Sequence, residues 1–244
     1  LIADEATHNK MAILDPKAAA RIALLDPALT VSQPPTVTAH TGLAAISHAV
    51  ETAVTTKRNS LSMMYSREAV KLLVPSLPTV LNDPKDIDAR GRMLLGAAYA
   101  GIAIENSMLG AAHAAANPLT ALYGIVHGEA VGIMLPLVVR FNAADPAALQ
   151  CYAELAAAPE IAFTRGGLRT ALEALISRLD SLLNVAGIPR SLADRGVEPA
   201  KIKTLAEEAA KQWTANVNPR LLTVGDFVAL YEAAFERRSD GDLV

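Results

Sequence analysis

From Ala39 to the end of the chain, apolar residues recur at three- to four-residue spacing, which is the period of an amphipathic α-helix. Thr41 is a residue type that caps helices, and we expect the first helix to follow it. A polar break at 55–59 separates this helix from a second one that begins near Ser60. Further helices are predicted from Asp86 onward, at 146–157, 170–185, 200–213 and 223–236. The pattern predicts an all-α body.

Prolines interrupt this pattern at two places. Pro75 and Pro78 lie within the second predicted helix, and we expect them to kink or restart it because proline lacks the amide hydrogen that a helix uses. The sequence Asn117-Pro118-Leu119-Thr120 predicts a turn within an alanine-rich stretch.

Residues 1–38 differ from the rest of the chain. Segments 13–16 and 22–26 are typical of short strands closed by Asp-Pro turns, with one helical turn at 17–21 between them. Short strands need a sheet to join, and no later segment offers a convincing partner. We therefore expect short strands at this end of the chain, and we expect the chain to be a piece of a longer protein.

The stretch 106–136 places two histidines in surroundings apolar enough to bury them. His113 lies in a nearly uncharged, alanine-rich segment, and His127 precedes the apolar run 130–139. A buried imidazole is costly unless it is hydrogen-bonded or bound to a metal. His48 lies on the first predicted helix and can face the same interior. Three helices with one histidine each can build a metal site, although unrelated core or surface imidazoles would fit the same spacing.

Composition excludes several classes of partner. The 244-residue chain has a net charge of −3 and no cluster of lysine and arginine, so we expect no nucleic-acid partner. The run 130–139 is too short to span a membrane and contains a proline, so no membrane partner is expected. Cys151 is the single cysteine, which fits a reducing compartment, and we predict the cytoplasm. We also expect a homo-oligomer.

Four motifs, in the right order along the chain, identify a resemblance. Segment 41–51, TGLAAISHAVE, is similar to the TGxDAxxHAxE segment of the iron-containing (group III) alcohol dehydrogenases. The other motifs that resemble this family are the DPxLT turn at 26–30, the second signature with Gly110-Ala111-Ala112-His113, Asn117-Pro118-Leu119 and His127-Gly128, and the late Asn218-Pro219-Arg220.

The resemblance implies two domains, a Rossmann-like one that holds NAD(P) and an all-helical one that holds a divalent metal, Fe²⁺ or Zn²⁺. Residues 1–38 would be a remnant of the cofactor domain. Residues 39–244 would be the helical metal and substrate domain, a multi-helix bundle of the dehydroquinate synthase-like type. The resemblance also implies that Lys10 and Leu29 contact the cofactor. The sequence contains no glycine-rich segment that would cradle the pyrophosphate.

Two positions depart from the family pattern. The family metal set is one aspartate and three histidines, which would be His48, His113 and His127 here, but Ala44 stands where the aspartate falls. Metal binding can be lost for this reason, although three imidazoles and a water can still hold zinc. At Asn117 many relatives carry a histidine near the nicotinamide. An amide can donate and accept hydrogen bonds but cannot relay a proton at neutral pH, so we expect Asn117 to orient substrate or nicotinamide.

Three hypotheses about function follow. In the first, the parent protein is an NAD(P)-dependent alcohol dehydrogenase or aldehyde reductase that transfers hydride between a small alcohol and the nicotinamide, with a metal polarising the oxygen. The second is a metal-independent reductase similar to the maleylacetate reductases, which Ala44 favours. The third is an inactive helical fragment without a dinucleotide-binding domain.

Overall fold

The chain is helical through most of the residues that the computed structural model describes, which are 2–3, 10–11, 15, 17, 20–158 and 166–237. The helices of these ranges are α1 (Pro35–Thr52), α2 (Ser60–Asn82), α3 (Ile87–Glu105), α4 (Ala111–Tyr123), α5 (His127–Asn142), α6 (Pro146–Ala156), α7 (Leu168–Val185), α8 (Ile202–Ala210) and α9 (Val224–Glu236). The prediction of an all-α, multi-helix body is confirmed.

Helices α1, α4 and α5 form one contiguous group inside the bundle. Helix α1 packs against α2, α3 and α5, and its residues Ile46, Ala49 and Val50 are fully buried. Helix α5 packs against both α1 and α4, while α6 pairs with α7 and α8 with α9. Burial of these apolar faces is the main driving force for the arrangement. The three helices that carry His48, His113 and His127 are therefore linked through α5.

The short strands predicted near the N-terminus are not seen where they were expected. Segment 22–26 forms no strand, and residues 13, 14 and 16 lie outside the described residues. A minimal antiparallel ladder joins β1 (Ile2–Ala3) to β2 (Lys10–Met11). The prediction for 22–26 is wrong because an extended segment becomes a strand only when a neighbouring strand accepts its hydrogen bonds, and no described strand lies beside it.

Helix α2 runs without a break through Pro75 and Pro78, so the expected restart is wrong. Pro78 cannot donate a hydrogen bond to the carbonyl of Val74, which is four residues earlier. The guanidinium of Arg178 donates to that carbonyl oxygen instead, at 3.4 Å, from helix α7. A distant side chain thus satisfies the oxygen that the proline leaves open, and the helix continues.

The turn predicted at 117–120 is also wrong, since these residues lie inside α4. Pro118 removes one backbone hydrogen bond, but Ala115 and Leu119 on either side of it are fully buried, and packing of that face outweighs the loss. Helix α4 ends at Gly124, whose φ of +64° is left-handed. Residues 124–126 then link α4 to α5. His113 and His127 consequently each fall in the first turn of a helix.

Some of the helix caps predicted from the sequence are present in the structure and one is not. Asp86 caps α3, and Thr223 with Asp226 forms a capping box on α9, as their types predict. Helix α1 instead begins at Pro35, and Thr41 lies inside it. The Thr41 hydroxyl donates to the carbonyl of Val37 at 2.7 Å, which is a common way for a threonine to be accommodated within a helix.

A short 3-10 helix, Pro27–Thr30, connects the N-terminal segment to the bundle. Arg90 of α3 is buried and donates to the carbonyl oxygen of Thr30 at 2.6 Å, which fixes this connection. Leu24 and Leu29 nevertheless remain 88% and 75% exposed. No helix in the described part of the chain is both long and apolar enough to cross a bilayer.

Candidate functional site

Three imidazole rings meet between α1, α4 and α5. The ring of His113 lies 4.9 Å from that of His48, centroid to centroid, with 23° between their planes. The ring of His113 also lies 5.3 Å from that of His127, with the planes inclined by 57°. The structure therefore brings the three predicted ligands into one cluster, and their role in binding a metal stays a prediction.

The middle ring is buried and the outer two reach solvent. His113 is 4% exposed, whereas His48 and His127 are partly exposed. The cluster is thus closed on the side of the bundle and open on the side of His48 and His127.

Glu51, near the end of α1, fixes the ring of His113. The Nδ1–H of His113 donates to Oε2 of Glu51, and both side chains are buried. An ionised carboxylate can only accept hydrogen bonds, so beside such a carboxylate a neutral ring places its proton on Nδ1 and its lone pair on Nε2. Nε2 of His113 is buried and has no hydrogen-bond partner among the described residues. The result is an imidazole with a buried lone pair available for an electrophile.

The second oxygen of Glu51 caps helix α4. Oε1 accepts hydrogen bonds from the backbone N–H of Ala112 at 2.7 Å and of His113 at 3.4 Å. The amide of Asn218 completes this cap, since its Oδ1 accepts from the N–H of Ala111 at 3.2 Å. Residue Gly110 at the N-cap position has no side chain to serve this purpose. Distant residues therefore satisfy the amides that a helix leaves open at its start.

Asn218 is itself held by a buried amide pair. Its Nδ2 donates to Oδ1 of Asn142 at 2.7 Å, and the Nδ2 of Asn142 donates back at 3.0 Å. The same Nδ2 of Asn142 lies 3.3 Å from the hydroxyl of Tyr152, whose pKa burial raises, so that this hydroxyl stays protonated. Arg220 stacks its guanidinium 3.9 Å above the ring of Phe141. These contacts hold the segment after α8 against the end of α5.

The start of α5 is positioned by close backbone contact instead. A Cβ added to Gly128 would lie 2.0 Å from the carbonyl oxygen of His40 on α1, so only glycine fits there. The next residue, Glu129, is buried and pairs with Arg195. His127 is the first residue of α5 and is placed by this contact between the two helices.

The donors of the cluster fit a divalent cation by type. Imidazole nitrogen is a ligand for zinc and iron, and the lone pair on Nε2 of His113 is of the required kind. Ala44 lies one turn before His48 on the same partly exposed side of α1 and contributes no ligand. Within the described ranges no group of three or more His, Cys, Asp or Glu side chains is arranged as a metal site. Ligation by all three rings therefore requires these side chains to move from the positions that they have here.

The remaining predicted site residues lie elsewhere. Asn117 is on α4, one turn after His113, and its Nδ2 donates to Oε1 of Gln212 at 2.9 Å. Leu29 is in the exposed 3-10 helix. The backbone of Lys10 belongs to β2, while its side chain lies outside the described residues. The roles proposed for Asn117, Leu29 and Lys10 stay predictions.

The sequence did not reveal the residues that support the cluster. Glu51 is the last residue of the segment 41–51, and Asn218 is the first of Asn218-Pro219-Arg220. Both belong to motifs that carried the resemblance, so their presence in a motif was the available signal. Neither neighbours His113 in the sequence, which is why local spacing could not assign them a function.

Comparison with known proteins decides the family. A family model described as "Fe-containing alcohol dehydrogenase family, C-terminal" matches residues 38–235. The chain belongs to the iron-containing alcohol dehydrogenase family. The resemblance drawn from the motifs is therefore confirmed, and the matched range coincides with the helical body of this alcohol dehydrogenase family member.

Individual relatives agree with this assignment. Alcohol dehydrogenase 4 of Schizosaccharomyces pombe is 32% identical over 234 residues, which are 96% of this chain and 54% of that protein. The NAD-dependent methanol dehydrogenase of Bacillus methanolicus is 31% identical, over 96% of this chain and 61% of its own length. The solved structure of an iron-containing alcohol dehydrogenase from Thermococcus thioreducens is similar with a TM-score of 0.82, at 30% identity, over 91% of this chain and 57% of that one. The chain spans little more than half the length of these relatives.

Proposed function

We propose that this chain is the helical half of an NAD(P)-dependent alcohol dehydrogenase or aldehyde reductase, and that the alcohol oxygen binds at the cluster of His48, His113 and His127. The observation that carries the proposal is the buried lone pair on Nε2 of His113, which Glu51 orients and no described hydrogen-bond donor uses. A metal that polarises the substrate oxygen needs such a lone pair as a ligand, held in place before the metal binds.

A divalent metal would be held by His48, His113 and His127. When bound, it supplies Lewis-acid polarisation of the substrate oxygen. We assign the exclusion of water and the admission and orientation of the substrate to side chains of this half of the protein. The buried side of the cluster excludes water, and the partly exposed His48 and His127 admit a small alcohol or aldehyde. The amide of Asn117, anchored on Gln212, orients substrate or nicotinamide.

The nicotinamide cofactor would approach from the side of the N-terminal segment. We assign residues 1–38 to the cofactor domain and 39–244 to the metal and substrate domain, with Lys10 and Leu29 in contact with NAD(P). The 75% exposure of Leu29 supports this, because an apolar side chain at the surface gains free energy when a cofactor covers it. Hydride would pass between the carbinol carbon and the nicotinamide, which carries the redox chemistry.

Cobalt(II), whose visible absorption reports coordination by nitrogen, provides the test. We expect the 244-residue chain to bind one cobalt ion per chain. His113→Ala should weaken binding at least about tenfold, which is ~1.4 kcal/mol. His8→Ala, a histidine outside the proposed set, is the matched control and should leave the affinity unchanged. Equal cobalt affinity in all three proteins would contradict the proposal.

A second candidate is a reductase that works without metal. Two observations favour it: Ala44 stands where the family has its carboxylate ligand, and the described residues contain no group of three or more His, Cys, Asp or Glu side chains arranged as a metal site. In this case an imidazole N–H that faces the site would polarise the carbonyl directly by donating to its oxygen. Metal analysis of protein purified without chelators, followed by reconstitution with Fe(II) and Zn(II), separates the two candidates. Nicotinamide-dependent turnover that is independent of both ions would favour the second.

A further inference from the structure

The carboxylate of Glu51 contacts two groups at once, the backbone N–H groups at the start of α4 and the ring of His113. Its Oε1 faces the backbone N–H groups of Ala112 and His113, which can only donate. Its Oε2 faces Nδ1 of His113, which donates or accepts according to the tautomer of the ring. The backbone N–H groups therefore require a hydrogen-bond acceptor at the first position. Whether the second position accepts or donates decides which nitrogen of His113 carries the proton.

We infer that Glu51 is a positioning residue that holds His113 in the Nδ1–H tautomer, so that the Nε2 lone pair is presented to the electrophile of the site. This inference rests on the proposed function, since it assigns a reason for the orientation of one ligand of that site. Carboxylates that accept from the second nitrogen of a metal-binding histidine commonly fix its tautomer and raise its basicity.

A purely structural cap would not need this arrangement. One acceptor oxygen suffices to cap the amides of Ala112 and His113, and Asn218 already serves Ala111. A neutral amide would cap equally well by the same geometry, as Asn218 shows. The second oxygen of Glu51, 3% exposed and directed at Nδ1, is explained only by the ring that it orients. Ionised side chains are rarely buried without such a partner.

Glu51→Gln tests the inference because it preserves shape and changes polarity. The two backbone N–H groups force the amide oxygen of the glutamine toward α4, so its NH₂ must face Nδ1 of His113. An NH₂ group donates, and Nδ1 must then accept. The variant should therefore move the proton of His113 to Nε2 and remove the lone pair from the site, while α4 keeps an acceptor for its amides.

The first readout is the tautomer of His113 in metal-free protein, from ¹⁵N NMR at a pH where the imidazole is neutral. We expect the Nδ1–H form in the natural protein and the Nε2–H form in Glu51→Gln. The second is cobalt(II) affinity, which should fall about 10- to 100-fold in the variant. Glu154→Gln, which also removes a carboxylate but on the pair with Arg67, is the matched control and should change neither.

The outcomes separate this inference from the proposed function. A tautomer change in Glu51→Gln without cobalt binding by the natural protein would support the role of Glu51 and contradict the metal site. Cobalt binding by the natural protein with an unchanged tautomer in the variant would overturn the inference and leave the site standing. If Glu51→Gln does not fold, the natural protein alone decides, since an Nε2–H tautomer of His113 there would overturn the inference.

Discussion

The starts of α4 and α5 each carry one histidine of the cluster, and they are built by opposite means. At α4, buried acceptors from α1 and from the segment after α8 bind the open amides and one ring nitrogen. At α5, the N-cap residue Val126 provides no side-chain hydrogen bond, and close contact between Gly128 and the backbone of His40 sets the position. Glu129 of the first turn is paired to Arg195 and His40. A hydrogen bond orients the ring of His113, whereas close packing positions the backbone at the start of α5.

This difference indicates different tolerances. The start of α4 depends on hydrogen bonds, so it loses free energy of folding for each partner that is removed. Removal of Glu51 also changes which nitrogen of His113 carries the proton. A start that depends on close packing has no space for even one methyl group. We therefore expect substitutions at the start of α5 to reduce the free energy of unfolding most. We expect substitutions at the start of α4 to change the position of the proton on His113 most.

The largest expected effect on stability is at Gly128. Gly128→Ala places a Cβ against the carbonyl oxygen of His40, so the two helices must separate. We expect a loss of about 3 kcal/mol or more in the free energy of unfolding, measured by urea denaturation. Gly101→Ala is the control, because nothing lies within 4 Å of its Cβ, and it should stabilise by up to about 1 kcal/mol. Similar stabilities of the two variants would refute the steric account of α5.

Removal of a distant cap should have an intermediate effect. Asn218→Ala leaves the N–H of Ala111 and the amide of Asn142 without their buried partner, and we expect a loss of about 2 kcal/mol. Asn184→Ala is the control, since Asn184 is exposed and its amide accepts from Arg190 at the surface, and its effect should stay below about 0.5 kcal/mol. Thermal unfolding of both variants measures the difference. Equal midpoints would show that the cap of α4 does not depend on Asn218.

Removal of a helix cap that is formed by neighbouring residues should reduce stability least, and it provides a reference for Gly128→Ala and Asn218→Ala. Helix α9 is capped by its own Thr223 and Asp226, and Thr223→Ala should cost about 1 kcal/mol. The hydroxyl and backbone N–H of Thr223 donate to Asp226 and lower its pKa. A lowered folded-state pKa means that this contribution is complete above the ordinary pKa of aspartate and is lost as the pH falls through the folded-state value.

Thr223→Ala removes one of these two donors, so the variant should show a smaller loss of stability on acidification than the natural protein does. Urea denaturation at neutral and at acidic pH measures this difference. A variant that loses as much stability as the natural protein would show that Thr223 does not perturb Asp226.

The sequence predicted what depends on neighbouring residues. Asp86 and Thr223 cap helices where their types indicate, and the apolar period located the helical body. The predictions from the sequence were wrong where the stabilising partner lies far away along the chain. Pro78 is tolerated because Arg178 supplies a hydrogen bond from another helix, and no local pattern contains that information. The same holds for the candidate site. The family motifs pointed to the histidines, but Glu51 binds amides of a helix that begins sixty residues later.

The central claim is that His48, His113 and His127 share one site, and Ala44→Asp tests it most directly. Ala44 lies one turn before His48 on the same side of α1, so an aspartate there adds a carboxylate to the cluster. Cobalt(II) titration of the natural protein and of Ala44→Asp, with far-UV circular dichroism to verify the fold, is the measurement. We predict an increase in affinity of about tenfold or more. An unchanged affinity in a correctly folded variant would contradict a shared site.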